Sequence, residues 1–283
     1  MQKDVDKLLS YLEVKQLDEF NFEGRSPDFP KRIFGGQVLA QALNSAARCV
    51  DPKNLVHSMH AYFLRPGDPQ KIITFEVDPI RDGRSFITRS VVAKQSGRTI
   101  FNTSISFQKK ENGLEHQIPI KITSPPENLE TDFEFWKRFA KDHPDKAPPP
   151  QAHAIERRVV DRRDYINPEP RHPNQKMWFK VLGELGSDPL RHATLLAYIS
   201  DYSLLSAALL PHPYTSFNPE LQLASLDHSI WFHRSFRADD YLLYDIDSPS
   251  SCGSRGFSRG SFYTRDGILV ASTAQESLMR LRN

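Results

Sequence analysis

Apolar and polar side chains alternate along residues 86–107, FITRSVVAKQSGRTIFNTSISF, on both sides of Ser96-Gly97. A period of two predicts a pair of half-buried strands joined by a tight turn. The same pattern returns at 257–278, FSRGSFYTRDGILVASTAQESL, with Asp266-Gly267 as the hairpin signal. In GGQVLAQALNSAARCV the period changes: Val38, Leu39, Ala42, Leu43, Ala46 and Ala47 recur at helical spacing, so a helix is predicted just after Gly35-Gly36. ATLLAYISDYSLLSAALL, 193–210, is almost wholly apolar or small and predicts a core helix with one charge, Asp201, at its centre. DFEFWKRFAKDH predicts another helix, its Phe133, Trp136 and Phe139 packing on a sheet.

These elements occur twice. A shift of 170 residues lays Arg89 on Arg259, Gly97 on Gly267 and Thr103 on Thr273, and a shift of 169 lays AYFLR (61–65) on IWFHR (230–234). Each half then has one central helix followed by at least three antiparallel strands that wrap it. The predicted class is α+β, a double hotdog: two tandem repeats with their sheets continuous. The first repeat is placed at 1–118 and the second at 174–283. Between them, 119–173 holds APPPQ and INPEPRHP and is predicted to be a proline-rich connection carrying the DFEFWKRFAKDH helix.

Composition narrows the partners. A formal charge of +2 on 283 residues, with Lys and Arg dispersed, gives no footprint for nucleic acid. The run RRVVDRR is read as a solvated face or strand edge. Cys49 and Cys252 are far apart and lack nearby ligands at metal spacing, so neither a disulfide framework nor a zinc site is expected, and a reducing compartment fits. No apolar stretch approaches the roughly 18 residues of a membrane span. The start lacks a secretory pattern and the end, LMRLRN, lacks a Ser-Lys-Leu address; a cytoplasmic protein is expected.

The two copies differ where it matters for chemistry. On one face of the last strand, Phe101, Thr103, Ile105 and Phe107 of the first copy become Ala271, Thr273, Gln275 and Ser277, so Gln275 stands where Ile105 does. Ser225 falls on Leu55 or Val56, and Asp201 falls near Asn44. A buried glutamine needs partners, and an ionised carboxylate stripped of water is costly. Three such residues in one half are read as a convergent polar cluster holding a water beside the core helix.

IFGGQVLAQAL (33–43), SMHAYFLRPGD (58–68), RDGRSFITR (81–89), LDHSIWFHR (226–234) and ILVASTAQE (268–276) resemble, in order and spacing, the acyl-CoA thioesterase II family. The resemblance covers nearly the whole chain. It implies the double-hotdog fold, hydrolysis of fatty acyl-CoA to free acid and CoA without a cofactor, and a catalytic Asp, Thr or Ser, and Gln. The matching residues are Asp201, Ser225 and Gln275.

Thioester hydrolysis needs an oriented water, a proton acceptor and donors for the oxyanion. Gln275 and Ser225 are assigned to the water and Asp201 to the proton, with no acyl-enzyme. Backbone amides around Gly35 and Gly36, or near the start of the second helix, are candidates for the carbonyl oxygen. Arg65, Arg81, Arg84, Arg255 and Arg259 are candidates for CoA phosphates. His57 is the second choice of catalytic residue; it, His60 and His228 are otherwise read as strand-surface histidines. GFSRG matches a nucleophile elbow around Ser258, but the residues after it read as strand, where an elbow requires a helix. Two other functions are weighed: a non-enzymatic acyl-CoA binding module, which has no use for three buried polar groups, and a hotdog hydratase or dehydratase, which needs a histidine opposite an acid. The partners expected are acyl-CoA and further copies of the chain, as a homodimer or homotetramer.

Overall fold

The computed structural model describes residues 1–27, 32–120, 124–144 and 154–282. APPPQ lies outside them. In chain order the elements are α1 (Gln2–Leu12), β1 (Lys15–Gln16), β2 (Asn21–Gly24), α2 (Gly35–Ala47), β3 (Asn54–Phe63), β4 (Ile73–Asp82), β5 (Phe86–Gln95), β6 (Arg98–Lys109), α3 (Asp132–Asp142), β7 (Ile155–Val159), β8 (Asn174–Val181), α4 (Pro189–Ser200), α5 (Leu204–Leu209), β9 (Leu221–Ser225), β10 (Asp227–Phe232), β11 (Leu242–Cys252), β12 (Arg255–Thr264) and β13 (Leu269–Leu281).

All strands join one antiparallel sheet in the order β1-β2-β4-β5-β6-β3-β10-β13-β12-β11-β8-β7, with β9 on β13. The order is a palindrome about the β3–β10 seam. β2-β4-β5-β6-β3 on one side mirrors β8-β11-β12-β13-β10 on the other, and the sheet is continuous as expected. Each repeat also opens on a strand, β2 or β8, ahead of its helix. Inward-facing apolar side chains of both halves close on α2 and α4, which pack together as the core; Leu39, Leu43, Leu195, Leu196, Met59, Ile105, Ile230 and Phe262 are all fully buried there. No helix among the described residues is long and apolar enough to cross a membrane.

Both halves carry the same defect at the same place. In β3 the pairing with β6 slips by one residue between Val56 and Ser58. In the second half Ser225 pairs with Ser277, whereas Ser229 pairs with Ala274, so a slip falls at Leu226, between β9 and β10. Asp227 Oδ1 accepts the Glu276 N–H there at 2.7 Å. An extra residue on one strand bends it and re-aims its side chains. Ser225 is thereby the counterpart of Val56, not Leu55.

Several expectations are corrected. The stretch 193–210 is not one helix: α4 stops at Ser200, Asp201 is its C-cap, and Ser203 takes a left-handed φ of 73° before α5 starts. The counterpart of Asp201 is therefore Arg48, the C-cap of α2, and not Asn44. In α3, which a Thr131–Glu134 capping box starts, Phe133 is exposed and Phe135 buried. Phe135, Trp136 and Phe139 pack with Tyr165, and Arg162 lies over the Phe135 ring. RRVVDRR does begin on a strand edge, since β7 is the last strand of the sheet, but its arginines are not a solvated face: Arg157 and Arg162 pair with Asp132, Arg158 with Glu156, and Arg163 donates to the carbonyls of Tyr214 and His212. They tie β7 and the segment after it to α3 and to the end of α5.

Candidate active site

The break after α4 brings Asp201 to the N-terminus of α2. The Gly36 N–H donates to Asp201 Oδ2 at 3.0 Å. This approach needs glycine twice: a Cβ on Gly35 would lie 2.7 Å from that carboxylate oxygen, and one on Gly36 would lie 2.3 Å from the Tyr198 carbonyl oxygen. The two glycines thus serve helix contact, and the Gly36 amide, a candidate for the substrate carbonyl, is occupied by the carboxylate. Free N–H groups at a helix start favour negative charge, so this placement steadies an ionised Asp201.

The other carboxylate oxygen, Oδ1, accepts the Ser225 hydroxyl at 3.3 Å, and Gln275 Nε2 donates to Ser225 Oγ at 3.0 Å. The three residues singled out by comparing the halves are therefore one hydrogen-bonded chain. Burial pushes the Asp201 carboxyl up from 3.8 to about 7, against the opposing pull of the Gly36 amide, the Ser225 hydroxyl and the Arg32 charge. A carboxylate half-protonated at neutral pH is poised to exchange a proton. Arg32, just ahead of the IFGG motif, also donates to the Leu223 carbonyl at 3.3 Å. Sequence reasoning passed over it.

It also undervalued His228. This side chain is fully buried; its Nδ1 lies 2.8 Å from Gln275 Oε1 and its Nε2 lies 2.9 Å from Ser200 Oγ. Burial lowers its pKa to about 4, so the ring is neutral and carries one proton. With the Gln275 amide oxygen facing it, Nδ1 carries that proton, and Nε2 lies against the Ser200 hydroxyl, which also donates to the Ala197 carbonyl at 2.9 Å. His228 thus anchors the oxygen end of the Gln275 amide, and the nitrogen end donates to Ser225 and, at 3.0 Å, to Ser277. A signal for this was present. The 169-residue shift lays His228 on Met59, whose cross-strand partner is Ile105, the counterpart of Gln275. Four apolar positions of the first half, Val56, Met59, Ile105 and Phe107, are Ser225, His228, Gln275 and Ser277 in the second.

The remaining candidates lie elsewhere. His57 is on the outer face of the sheet, 2.7 Å from Ser106 Oγ and edge-on to Phe86. His60, also outward, meets Ser229 and Trp231. Arg255 and Arg259 point outward too, paired with Glu276 and Asp247. Arg65 donates to the Thr99 carbonyl at 2.6 Å, and Arg81 and Arg84 are exposed at the β4–β5 end of the first half. None of these five arginines is brought to Asp201. Ser258 sits in the middle of β12, directly across from Gln275, with strand on both sides. Its buried hydroxyl has no hydrogen-bond partner among the described residues. No group of three or more His, Cys, Asp or Glu side chains among the described residues is arranged to hold a metal ion, and both cysteines are free.

A double hotdog that joins a helix-end carboxylate, a serine and a glutamine beside its core helices has the architecture of an acyl-CoA hydrolase scaffold. Known proteins agree: residues 151–278 match the acyl-CoA thioesterase family and residues 24–108 match the acyl-CoA thioesterase N-terminal domain. The chain belongs to the acyl-CoA thioesterase family. It is 36% identical over 289 residues to acyl-CoA thioesterase 2 of Haemophilus influenzae, covering 99% of each chain. With mouse acyl-coenzyme A thioesterase 8 the identity is 38% over 292 residues, covering 96% of this chain and 88% of that one. Among solved structures, acyl-CoA thioesterase II TesB2 from Mycobacterium marinum superposes with a TM-score of 0.80 at 40% identity, covering 97% of this chain and 98% of that one.

Proposed function

We propose that the chain hydrolyses fatty acyl-CoA to free fatty acid and CoA, with Asp201, Ser225 and Gln275 holding the attacking water. The observation that carries the site assignment is the unbroken chain from Gly36 N–H through Asp201 and Ser225 to Gln275 and His228. Family membership supports the reaction class. The water oxygen bonds to the thioester carbon while the Asp201 carboxylate takes its proton; collapse breaks the C–S bond, and the departing CoA sulfur receives that proton. Ser225 and the Gln275 amide orient the water. The Ser225–Asp201 contact, at 3.3 Å, is long for an O–H···O bond, so giving it up for bonds to the water forfeits a weak interaction.

The same contact favours a second reading, in which Asp201 activates Ser225 as nucleophile. Against it, Gln275 donates to Ser225 Oγ and draws on the lone pair that would attack. The dehydratase reading needs a histidine facing an acid. His228 has both ring nitrogens engaged, and His57 and His60 face outward. The test is thiol release from acyl-CoA with rapid quench and protein mass measurement. Steady release without a burst, on unmodified protein, is expected; an acyl group trapped on Ser225 overturns the direct-water route, and the absence of thiol release overturns the enzyme.

A further inference from the structure

On β13 the face that carries the buried Gln275 and Ser277 continues through the half-buried Met279 to the exposed Leu281, and the register sets Ser225, Leu223 and Leu221 of β9 beside the last three. The polar site therefore passes within two residues into an apolar strip. In the first half the position of Ser277 is filled by Phe107, which is fully buried in the core. The exchange of a phenyl ring for a hydroxymethyl group clears the way along the strand here.

Over the strip lies α5, and beneath it is Gly256, the β12 partner of Ser277. A Cβ on Gly256 would come within 2.4 Å of Met279 Sδ and 2.6 Å of Ala208 Cβ, so Met279 is clasped between helix and sheet at this point. Beyond Met279 the strip opens into a groove of about 180 Å³. Leu209, Leu221, Met279 and Leu281 form its apolar wall, with the Cys252–Arg255 hairpin at the rim. From Ser225 to Leu221, four residues of extended chain, the distance is about 13 Å.

We propose that this groove receives the distal methylenes of the substrate's acyl chain, which leave the thioester site over Ser277 and pass Met279, so that Met279 and Leu221 set chain-length preference. The inference rests on the assignment of Asp201, Ser225 and Gln275 as the hydrolytic site. The leucine and methionine part of the lining continues the apolar strip and suits an acyl tail, while polar groups beside it are already engaged, His212 with Ser251 and Arg255 with Glu276. Met279 is unbranched and polarisable, a side chain that swings aside without breaking a hydrogen bond.

The test measures kcat/KM for butyryl-CoA and for the longest acyl-CoA the parent hydrolyses, in the parent, Leu221→Trp and Met279→Ala. Leu221, at the edge of the short strand β9, tolerates a large substitution best. Leu221→Trp is expected to lower the long-chain value at least about tenfold, the loss for shutting two or more methylenes out of an apolar site, and to leave butyryl-CoA within about twofold. Met279→Ala is expected to raise the long-to-short ratio. Equal losses on both substrates, or unchanged ratios in both variants, overturn the groove as an acyl site. The catalytic assignment fails by a separate result: butyryl-CoA turnover that survives Asp201→Asn.

Discussion

Replacing His228 by Met restores the residue that the first half carries at the equivalent position, Met59, so the volume change is small and the loss is one of hydrogen bonding. Two bonds disappear, to Gln275 Oε1 and to Ser200 Oγ. Ser200 keeps a partner in the Ala197 carbonyl, but Gln275 Oε1 is left buried and bare. That costs about 1–3 kcal/mol, and since the histidine is neutral no charge term adds to it. At about 2–4 °C per kcal/mol for a chain of this size, Tm should fall by roughly 2–12 °C. The kinetic effect is separate. With Oε1 unanchored the amide turns about its last torsion, and its donor no longer points constantly at Ser225. Deleting one fixed donor outright costs about 10²–10³ in kcat, so loosening one should cost about 10–100-fold, with KM little changed. Thiol release at saturating and limiting acyl-CoA gives kcat and KM apart, and thermal unfolding gives Tm. A variant with kcat within twofold of the parent and a lowered Tm would refute the orienting role and leave His228 as a support of the core.

Because the Asp201 carboxyl sits at about 7 and must be ionised to accept a proton, kcat/KM should rise with pH through about 7 and level off above it; Arg32→Gln, which removes a charge that lowers this pKa, should move the midpoint to higher pH. The folded value exceeds the unfolded 3.8, so the stabilisation it gives is complete below about pH 4 and lost as pH rises through 7; denaturant unfolding of Asp201→Asn should lose that decline. Ser225→Ala and Gln275→Ala should each lower kcat by about 10²–10⁴, and the double variant should be little worse than the poorer single one, with Ser225→Thr active; losses that multiply would count against a shared water. Ser258→Ala should keep turnover within a few-fold and hold or raise Tm, because it removes a buried hydroxyl without a partner; a loss comparable to that of Asp201→Asn would restore the nucleophile-elbow reading.

Much of the site was legible before any coordinates because the chain carries its own reference. Gln275 against Ile105 is a difference no packing argument explains, and it holds. His228 was harder to see because β3 aligns with the second half under a shift of 169 where the last strand aligns at 170. A bulge leaves no composition signature there: Val56, His57 and Ser58 read as ordinary strand. The helix break at Asp201 was invisible for a similar reason. Ser203 takes the left-handed conformation without glycine, and apolar residues run on through 193–210, so nothing in the pattern marks an end. In α3 the aromatic residues are so dense that two helix faces fit the period, and Arg162, just after β7, covers the Phe135 face that is buried.

The β3–β10 seam makes this molecule a dimer of two unequal repeats covalently fused, and inequality has a consequence for what each part is free to become. In an assembly of identical subunits every substitution appears on both sides of the axis, so a polar side chain introduced for chemistry perforates the interior twice. Fusion removes that obligation. The first repeat keeps Met59, Ile105 and Phe107 as solid filling and lends only a helix end to the reaction, while the second carries the polar quartet and the opening beside it. Robustness and reactivity thus fall to different repeats, and substitutions in the first should follow the rules of a core while those in the second follow those of a site.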